Sequence, residues 1–280
     1  LKETWSGADT YCQNLSIELG EEKYSDWRLP TYKEIKSIVD NSRKSIIFSG
    51  HYFEKWAPVD YAHEERHWLS DPDANPASQS SVWYIGLDGS LQTIDTQDSA
   101  NKFPFSCVTG QANYMANDFR DYKRGIIVDL TTGLTWMRCP MGRSGDNCEQ
   151  GTGEIKTWQE ALKACQDLSL AGLNKWRLPD DKELTSLVDT SRFEPVVDHN
   201  SFPATPNDWF WSSTTNVKKP SEAHRVNFGN GYLNFAAKSE SFHLRCVHSN
   251  YCPRTEKKEV TCDKRDNNCD GIVDNAVLKG

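Results

Sequence analysis

The sequence predicts an α+β protein made of two tandem copies of one disulfide-linked module, followed by a short metal-binding loop. The prediction depends on an internal repeat, on the cysteine positions, and on short aromatic and β-branched runs broken by Gly, Asn, Asp and Pro. Such runs are typical of strands joined by long loops. We expect the first module at residues 1–110, the second at 111–250 and the tail at 251–280.

The repeat is clearest around two tryptophan motifs in each module. Thr4-Trp5 followed by Trp27-Arg28-Leu29-Pro30 recurs as Thr157-Trp158 followed by Trp176-Arg177-Leu178-Pro179. The period is far longer than that of solenoid repeats, so it indicates duplication of a whole module. Weaker similarities follow, and we align Trp68-Leu69-Ser70 with Phe210-Trp211-Ser212, Ile85-Gly86 with Val226-Asn227, and Phe105-Ser106-Cys107-Val108 with Leu244-Arg245-Cys246-Val247.

Two helices are predicted in each module. Trp158, Ala161, Cys165 and Leu168 follow helical spacing, and Thr157 with Glu160 forms a capping box at its start. Residue pairs that cap the second helix stand after each Leu-Pro motif. These pairs are Thr31 with Glu34 and Asp180 with Glu183, and the residues that the second helices bury are Ile35, Ile38, Val39, Leu184, Leu187 and Val188.

Nine cysteines without a Cys-x-x-Cys pair favour disulfides in an oxidising compartment over a zinc or thioredoxin-type site. The repeat places one cysteine on the first helix and one in the last strand of each module, while the other pairs are local. Cys252 is left over, either unpaired or bonded outside this chain. The predicted bridges are Cys12–Cys107, Cys165–Cys246, Cys139–Cys148 and Cys262–Cys269.

Charge and hydropathy exclude two classes of partner. The net charge of −8 disfavours nucleic acid, and no run of about 18 apolar residues is present for membrane insertion. Leu1 is not an initiator methionine, so we expect a mature secreted form or a fragment.

Several motifs of the second module resemble the Lcl C-terminal domain family. They are Asp129-Leu130-Thr131-Thr132-Gly133-Leu134-Thr135-Trp136, the Trp158–Cys165 helix, Trp176-Arg177-Leu178-Pro179, Trp211-Ser212-Ser213-Thr214, Val226-Asn227-Phe228 and Arg245-Cys246-Val247. The first module matches from Trp5 onward but lacks the opening Asp…Thr-Gly-Leu-x-Trp segment. The resemblance implies a C-type-lectin-like or formylglycine-enzyme-like fold, a secreted or cell-surface bacterial protein, and a relationship to a glycan-binding adhesin.

The tail, from Cys262 to Asp274, resembles a metal-binding motif of secreted bacterial proteins, a family also linked to copper. Oxygen ligands stand at the spacing of a calcium loop, with Gly271 at the sharp turn. Val277 replaces the bidentate glutamate of an EF-hand, and a solvated acidic turn is the alternative interpretation. Calcium suits carboxylates and carbonyls better than copper does. The predicted ligands are Asp266, Asn268, Asp270, Ile272 through its carbonyl, and Asp274.

No enzyme is expected from the sequence. His63-Glu64-Glu65-Arg66-His67 fits the zinc-protease pattern, but it directly precedes a predicted strand, and the chemistry needs a helix. Arg28 and Arg177 recur beside Glu34 and Glu183, which indicates structural ion pairs.

Loop aromatics without a counterpart in the other module are the predicted ligand-binding residues. An exposed aromatic ring suits a sugar face and a protein contact equally well. These residues are Tyr52, Trp56, Tyr61 and Trp209.

The sequence thus favours an adhesin or lectin-like binding module for glycan or protein ligands. The alternative is a structural subunit of an extracellular filament or sheath. There, copies of the chain would assemble by strand exchange at the edge left open by the missing opening segment.

Overall fold

Strands dominate the structure, which is a computed structural model that describes residues 2–38, 66–78, 80–86, 90–111 and 117–249. The described part contains four short helices, so the α+β prediction holds with sheet as the main component. The helices are α1 (Trp5–Gln13), α2 (Tyr32–Ile38), α3 (Trp158–Gln166) and α4 (Asp181–Ser186). The strands are β1 (Lys2–Glu3), β2 (Ile17–Leu19), β3 (Glu22–Tyr24), β4 (Arg66–Pro72), β5 (Ser81–Gly86), β6 (Leu91–Asp95), β7 (Phe103–Pro104), β8 (Phe119–Asp121), β9 (Ile126–Asp129), β10 (Leu134–Met137), β11 (Arg143–Ser144), β12 (Gln150–Gly151), β13 (Ile155–Thr157), β14 (Trp209–Thr215), β15 (Glu222–Asn227), β16 (Leu233–Ala237), β17 (Ser241–His243) and β18 (Val247–Ser249).

The predicted caps stand at the starts of the helices. Both reciprocal hydrogen bonds of a capping box are present at α3 and at α4. At α2, the backbone N–H of Thr31 donates to Glu34 Oε2 over 2.8 Å, and Thr31 Oγ1 accepts from the Glu34 backbone N–H. These bonds satisfy backbone donors that a helix start leaves without a partner.

Three disulfides join the predicted pairs. Cys12–Cys107 and Cys165–Cys246 tie the first helix of each module to its closing segment, across 95 and 81 positions. Cys139–Cys148 spans nine positions and joins the segment before β11 to the turn between β11 and β12. Cys252 and the predicted Cys262–Cys269 bridge lie outside the described residues.

One eight-stranded sheet runs through both modules, in the order β13-β17-β14-β15-β16-β6-β5-β4. Strands β4, β5 and β6 of the first module correspond to β14, β15 and β16 of the second. The equivalent strands β6 and β16 are neighbours and antiparallel, and they meet at Leu91 and Leu233. An approximate twofold axis therefore passes between the modules at this pair.

The second module also has a four-stranded sheet, in the order β18-β10-β9-β8. The segment equivalent to β18 in the first module contains Val108, which bridges to Arg28 as Val247 bridges to Arg177. Within the described residues, no strand of the first module takes the place of β10 beside it.

The hydrophobic core is partly shared by the two modules. One cluster of buried side chains spans the axis and joins α2, β5 and β6 of the first module to α4, β15 and β16 of the second. Trp83 belongs to this cluster and is in edge-to-face contact with Tyr32 and with Tyr232 of the other module. Each module has a further cluster of its own around its long-range disulfide.

The sequence alignment of β4 with β14 is wrong by one residue. Trp68 Nε1 donates to the Glu3 carbonyl over 2.8 Å, and Trp211 Nε1 donates to the Lys156 carbonyl over 3.0 Å. Trp68 therefore corresponds to Trp211, and not to Phe210 as expected. Trp68 is matched with a large aromatic residue in either register, Phe210 or Trp211, so residue type alone could not choose between them. The indole hydrogen bonds do.

Candidate functional site

A cleft of about 460 Å³ lies where the second helices of the two modules meet. This volume is within the range of small-molecule sites. Its walls come from α2, from α4 and from the turn between β9 and β10. The described residues that line it are Tyr32, Lys33, Lys36, Ser37, Asn117, Thr131, Thr132, Lys182, Thr185 and Ser186.

The cleft is built around the approximate twofold axis. Its two helices carry equivalent residues because each begins at the same kind of cap. Lys33 and Lys182 both precede the capping glutamate. Ser37 and Ser186 each donate a side-chain hydrogen bond to the carbonyl of that glutamate. Two lysines and two serines are therefore presented from opposite sides.

The three lysines of the cleft differ in their partners. Lys36 is buried and pairs with Asp181 of the other module, with 3.0 Å between Nζ and Oδ2. The Lys33 ammonium donates to the neutral amide oxygen of Asn117. Lys182 is exposed, and its Nζ lies 3.5 Å from the Ser37 carbonyl.

Burial lowers the pKa of Lys33, while the carboxylates of Asp129, Asp189 and Asp71 oppose that shift from a distance. Within the described residues, no carboxylate forms an ion pair with the Lys33 or Lys182 ammonium group. Two cationic groups of the cleft are therefore without a direct counter-charge in this part of the chain.

Asp181 anchors one side of the cleft. Its Oδ2 atom lies 3.5 Å from His224 Nδ1, and its Oδ1 atom accepts from Thr214 Oγ1 over 3.0 Å. Burial alone would raise the pKa of Asp181, but Lys36 and His224 outweigh it and hold this pKa well below its usual range. The charged carboxylate therefore fixes Lys36 and joins α2 to α4.

The third wall is a turn organised by the buried carboxylate of Asp129. Asp129 accepts from Asn117 Nδ2 over 2.7 Å, from the Thr131 backbone N–H over 3.0 Å and from Thr132 Oγ1 over 2.8 Å. These bonds hold three lining residues in place. The cleft thus offers ammonium, hydroxyl and amide groups on fixed elements, which suits a hydroxylated or anionic ligand.

Of the predicted ligand-binding aromatics, only Trp209 lies within the described residues. It is half-buried at the start of β14, and the Arg225 guanidinium stands over its ring at 4.1 Å from the centroid. One face of Trp209 is therefore covered by the chain itself. Trp209 is not among the residues of the cleft, and Tyr52, Trp56 and Tyr61 lie outside the described residues.

The predicted calcium loop, Asp266 to Asp274, also lies outside the described residues. In the ranges that the structure covers, no group of three or more His, Cys, Asp or Glu side chains is placed to hold a metal ion. Of the His-Glu-x-x-His pattern, only Arg66 and His67 are described, and they belong to strand β4.

The predicted Arg–Glu ion pairs are confirmed as structural. Arg28 binds Glu34 through two hydrogen bonds of 2.7 and 2.6 Å, and Arg177 binds Glu183 through two of 2.6 and 2.5 Å. Each glutamate also caps its helix, so the pair holds the Leu-Pro segment against the helix start.

The described helices are all too short or too polar to span a membrane.

The model of one protein family, the Lcl C-terminal domain, matches this chain twice, at residues 2–109 and 125–248. The two matches together cover most of the sequence. The chain belongs to the Lcl C-terminal domain family. A search of curated proteins gave no match.

The cleft lies between the two Lcl C-terminal domains. Nine of its ten described lining residues fall within the matched ranges, and Asn117 falls between them. The module boundaries expected at residues 110 and 250 stay predictions.

Sequence reasoning missed the cleft, although the repeat contains a signal for it. Lys33 and Lys182 occupy equivalent positions, directly before Glu34 and Glu183. Their convergence depends on the contact of β6 with β16. That contact is made by two modules of the Lcl C-terminal domain in one chain, and no motif within a single module predicts it.

Proposed function

We propose that this chain is a secreted or cell-surface protein without enzymatic activity, which acts as an adhesin or lectin-like binding module for glycan or protein ligands. The inter-module cleft is the ligand site in this proposal. Each module is a C-type-lectin-like scaffold, and the tail from Asp266 to Asp274 binds calcium.

The cleft is the observation that carries the proposal. It combines lysine, serine, threonine and asparagine groups on a framework fixed by disulfides, capping boxes and the Asp129 turn. Preorganised polar groups of this kind bind ligands without a large entropic cost of ordering side chains. Three disulfides also agree with an oxidising, extracellular setting.

Binding of the purified full chain to a glycan array and to bacterial or host cell surfaces tests this function. We expect specific binding that Lys182→Met weakens, whereas Lys163→Met on the exposed side of α3 leaves it unchanged. In the same assay, Trp56→Ala and Trp209→Ala should each abolish binding if the predicted aromatic residues contact the ligand. No binding on the array or to any cell surface would contradict the proposal.

A subunit of a filament or sheath is the second candidate. It is favoured by the segment around Val108, beside which the described residues provide no strand equivalent to β10. A strand from another copy could pair there by exchange, with Cys252 as a site for an intermolecular bond. Light scattering at high protein concentration, with calcium and oxidant present, should then reveal assembly, and a strictly monomeric protein would exclude it.

A further inference from the structure

We infer that the ligand of the inter-module cleft is a sugar acid, a hydroxylated ring that carries one carboxylate. This inference rests on the proposed binding function and names the chemistry of its ligand. The ring is either a free monosaccharide acid or one residue of an acidic polysaccharide, and both present the same group to the cleft.

The charge of the lining carries the first step. The described lining contains three lysines and no Asp or Glu, although the chain as a whole has a net charge of −8. Lys36 is neutralised by Asp181 at 3.0 Å. Lys33 and Lys182 are the two that can donate to a ligand anion, since their described contacts are a neutral amide and a backbone carbonyl.

The positions of the two lysines carry the second step. They are equivalent residues on α2 and α4 and approach the cleft from the two sides of the approximate twofold axis. A carboxylate has two oxygens with several lone pairs, so it can accept from both ammonium groups at once. Partial burial of Lys33 strengthens such a contact, because fewer water molecules compete for the ammonium group.

The hydroxyl groups carry the third step. Ser37 and Ser186 flank the lysines, and the Asp129 turn holds Thr131 and Thr132 on the third wall. The single O–H of Ser37, of Ser186 and of Thr132 already donates within the protein, so each oxygen offers lone pairs that accept from the hydroxyls of a sugar ring. A simple inorganic anion would leave this wall without a partner.

Calorimetric titration of the full chain with glucuronate, its methyl ester, glucose and glucose 6-sulfate tests the inference. We expect glucuronate to bind, and the methyl ester to bind about tenfold more weakly, since it lacks a charge-assisted hydrogen bond. Lys33→Met and Lys182→Met should each weaken glucuronate binding by about tenfold as well. Lys163→Met, which removes an exposed lysine outside the cleft, should leave it unchanged.

Equal binding of the acid and its ester, or equal effects of Lys182→Met and Lys163→Met, would overturn the inference. Glucose 6-sulfate that binds as tightly as glucuronate would overturn the choice of a carboxylate. Lys182 is exposed, so its variant tests the inference even if Lys33→Met does not fold. If array glycans bind but glucuronate does not, the inference fails alone; if no ligand binds at all, the proposed function fails with it.

Discussion

Lys36 and Asp181 join the two modules through a single buried ion pair, and each side chain is only 5% exposed. Removing Lys36 takes away the lysine counter-charge of the buried Asp181 carboxylate, which keeps its contacts with His224 and Thr214. We expect Lys36→Met to lower the free energy of unfolding by about 3–5 kcal/mol. Urea denaturation measures this, and the double variant Lys36→Met/Asp181→Asn should recover part of the loss.

An exposed ion pair provides the matched control. Lys163 and Asp167 pair on α3, with side chains 74% and 62% exposed. Lys163→Met should change the free energy of unfolding by no more than about 1 kcal/mol. Equal losses for the two lysine variants would show that burial of the Lys36 pair has no energetic consequence.

The same pair predicts how stability depends on pH. Lys36 and His224 hold the pKa of Asp181 below its usual range, so its contribution is present above the pKa of an unfolded aspartate, about 3.9, and is lost as the pH falls below it. In Lys36→Met, burial without the lysine favours the protonated carboxyl. The stability difference between wild type and variant should therefore shrink between about pH 5 and pH 3, measured by urea denaturation at each pH. A constant difference would contradict this.

Gly231 stands where the second module touches Trp83 of the first. Its φ is +77°, and an added Cβ would lie 2.7 Å from Trp83 Cη2. Gly172 has a similar φ of +81° with no atom within 4 Å of that position. We expect Gly172→Ala to cost about 1 kcal/mol from backbone strain alone, and Gly231→Ala to cost about 1–3 kcal/mol more from overpacking. Equal losses in thermal or urea unfolding would rule out the steric effect.

At the scale of elements, the disulfides differ in how much of the chain each one closes. Cys165–Cys246 spans 81 positions and Cys139–Cys148 spans nine. Loop-closure entropy predicts a stabilisation of about 4–5 kcal/mol for the long bridge and about 2–3 kcal/mol for the short one. Paired Cys→Ala variants compared by chemical denaturation test this order, and a larger loss for the short bridge would contradict it.

The sequence predicted the local elements well because their signals are local. Capping residues stand within three positions of each other at α2, α3 and α4. The two long disulfides join equivalent places of the repeat, and Cys139–Cys148 joins cysteines only nine positions apart. The register of β14 could not be read this way, because Phe210 and Trp211 are both large and aromatic. The hydrogen bond from the Trp211 indole to Lys156 fixes it, and that contact joins residues far apart in sequence.

The candidate site was harder to predict than the elements. Equivalent positions of Lys33 and Lys182 are visible in the sequence, but their approach depends on how β6 and β16 pair. The aromatic ligand-binding residues stay predictions. Arg225 covers one face of the Trp209 ring, and Tyr52, Trp56 and Tyr61 lie outside the described residues.

At the scale of the whole molecule, the shared core couples the modules. Trp83, Leu91 and Leu233 belong to one buried cluster that spans both of them. We expect calorimetry of the full chain to show a single unfolding transition, which Leu91→Ala moves to lower temperature as a unit at a cost of about 2–5 kcal/mol. Ile155→Ala, at a position 57% exposed, serves as the control. Two separate transitions would show that the modules unfold independently.

The two modules are not interchangeable, because equivalent positions near the approximate twofold axis carry different residues. Asp181 corresponds to Tyr32, Thr185 to Lys36, and His224 to Trp83, so each side supplies what the other lacks. A chimera with two second modules would seat an aspartate opposite a threonine at the axis, with no ammonium group to meet it. One with two first modules would place a second tryptophan at the His224 position and a tyrosine opposite Lys36, in the place of the carboxylate that pairs with it. The two copies have thus diverged into complementary partners, and neither can replace the other at the interface.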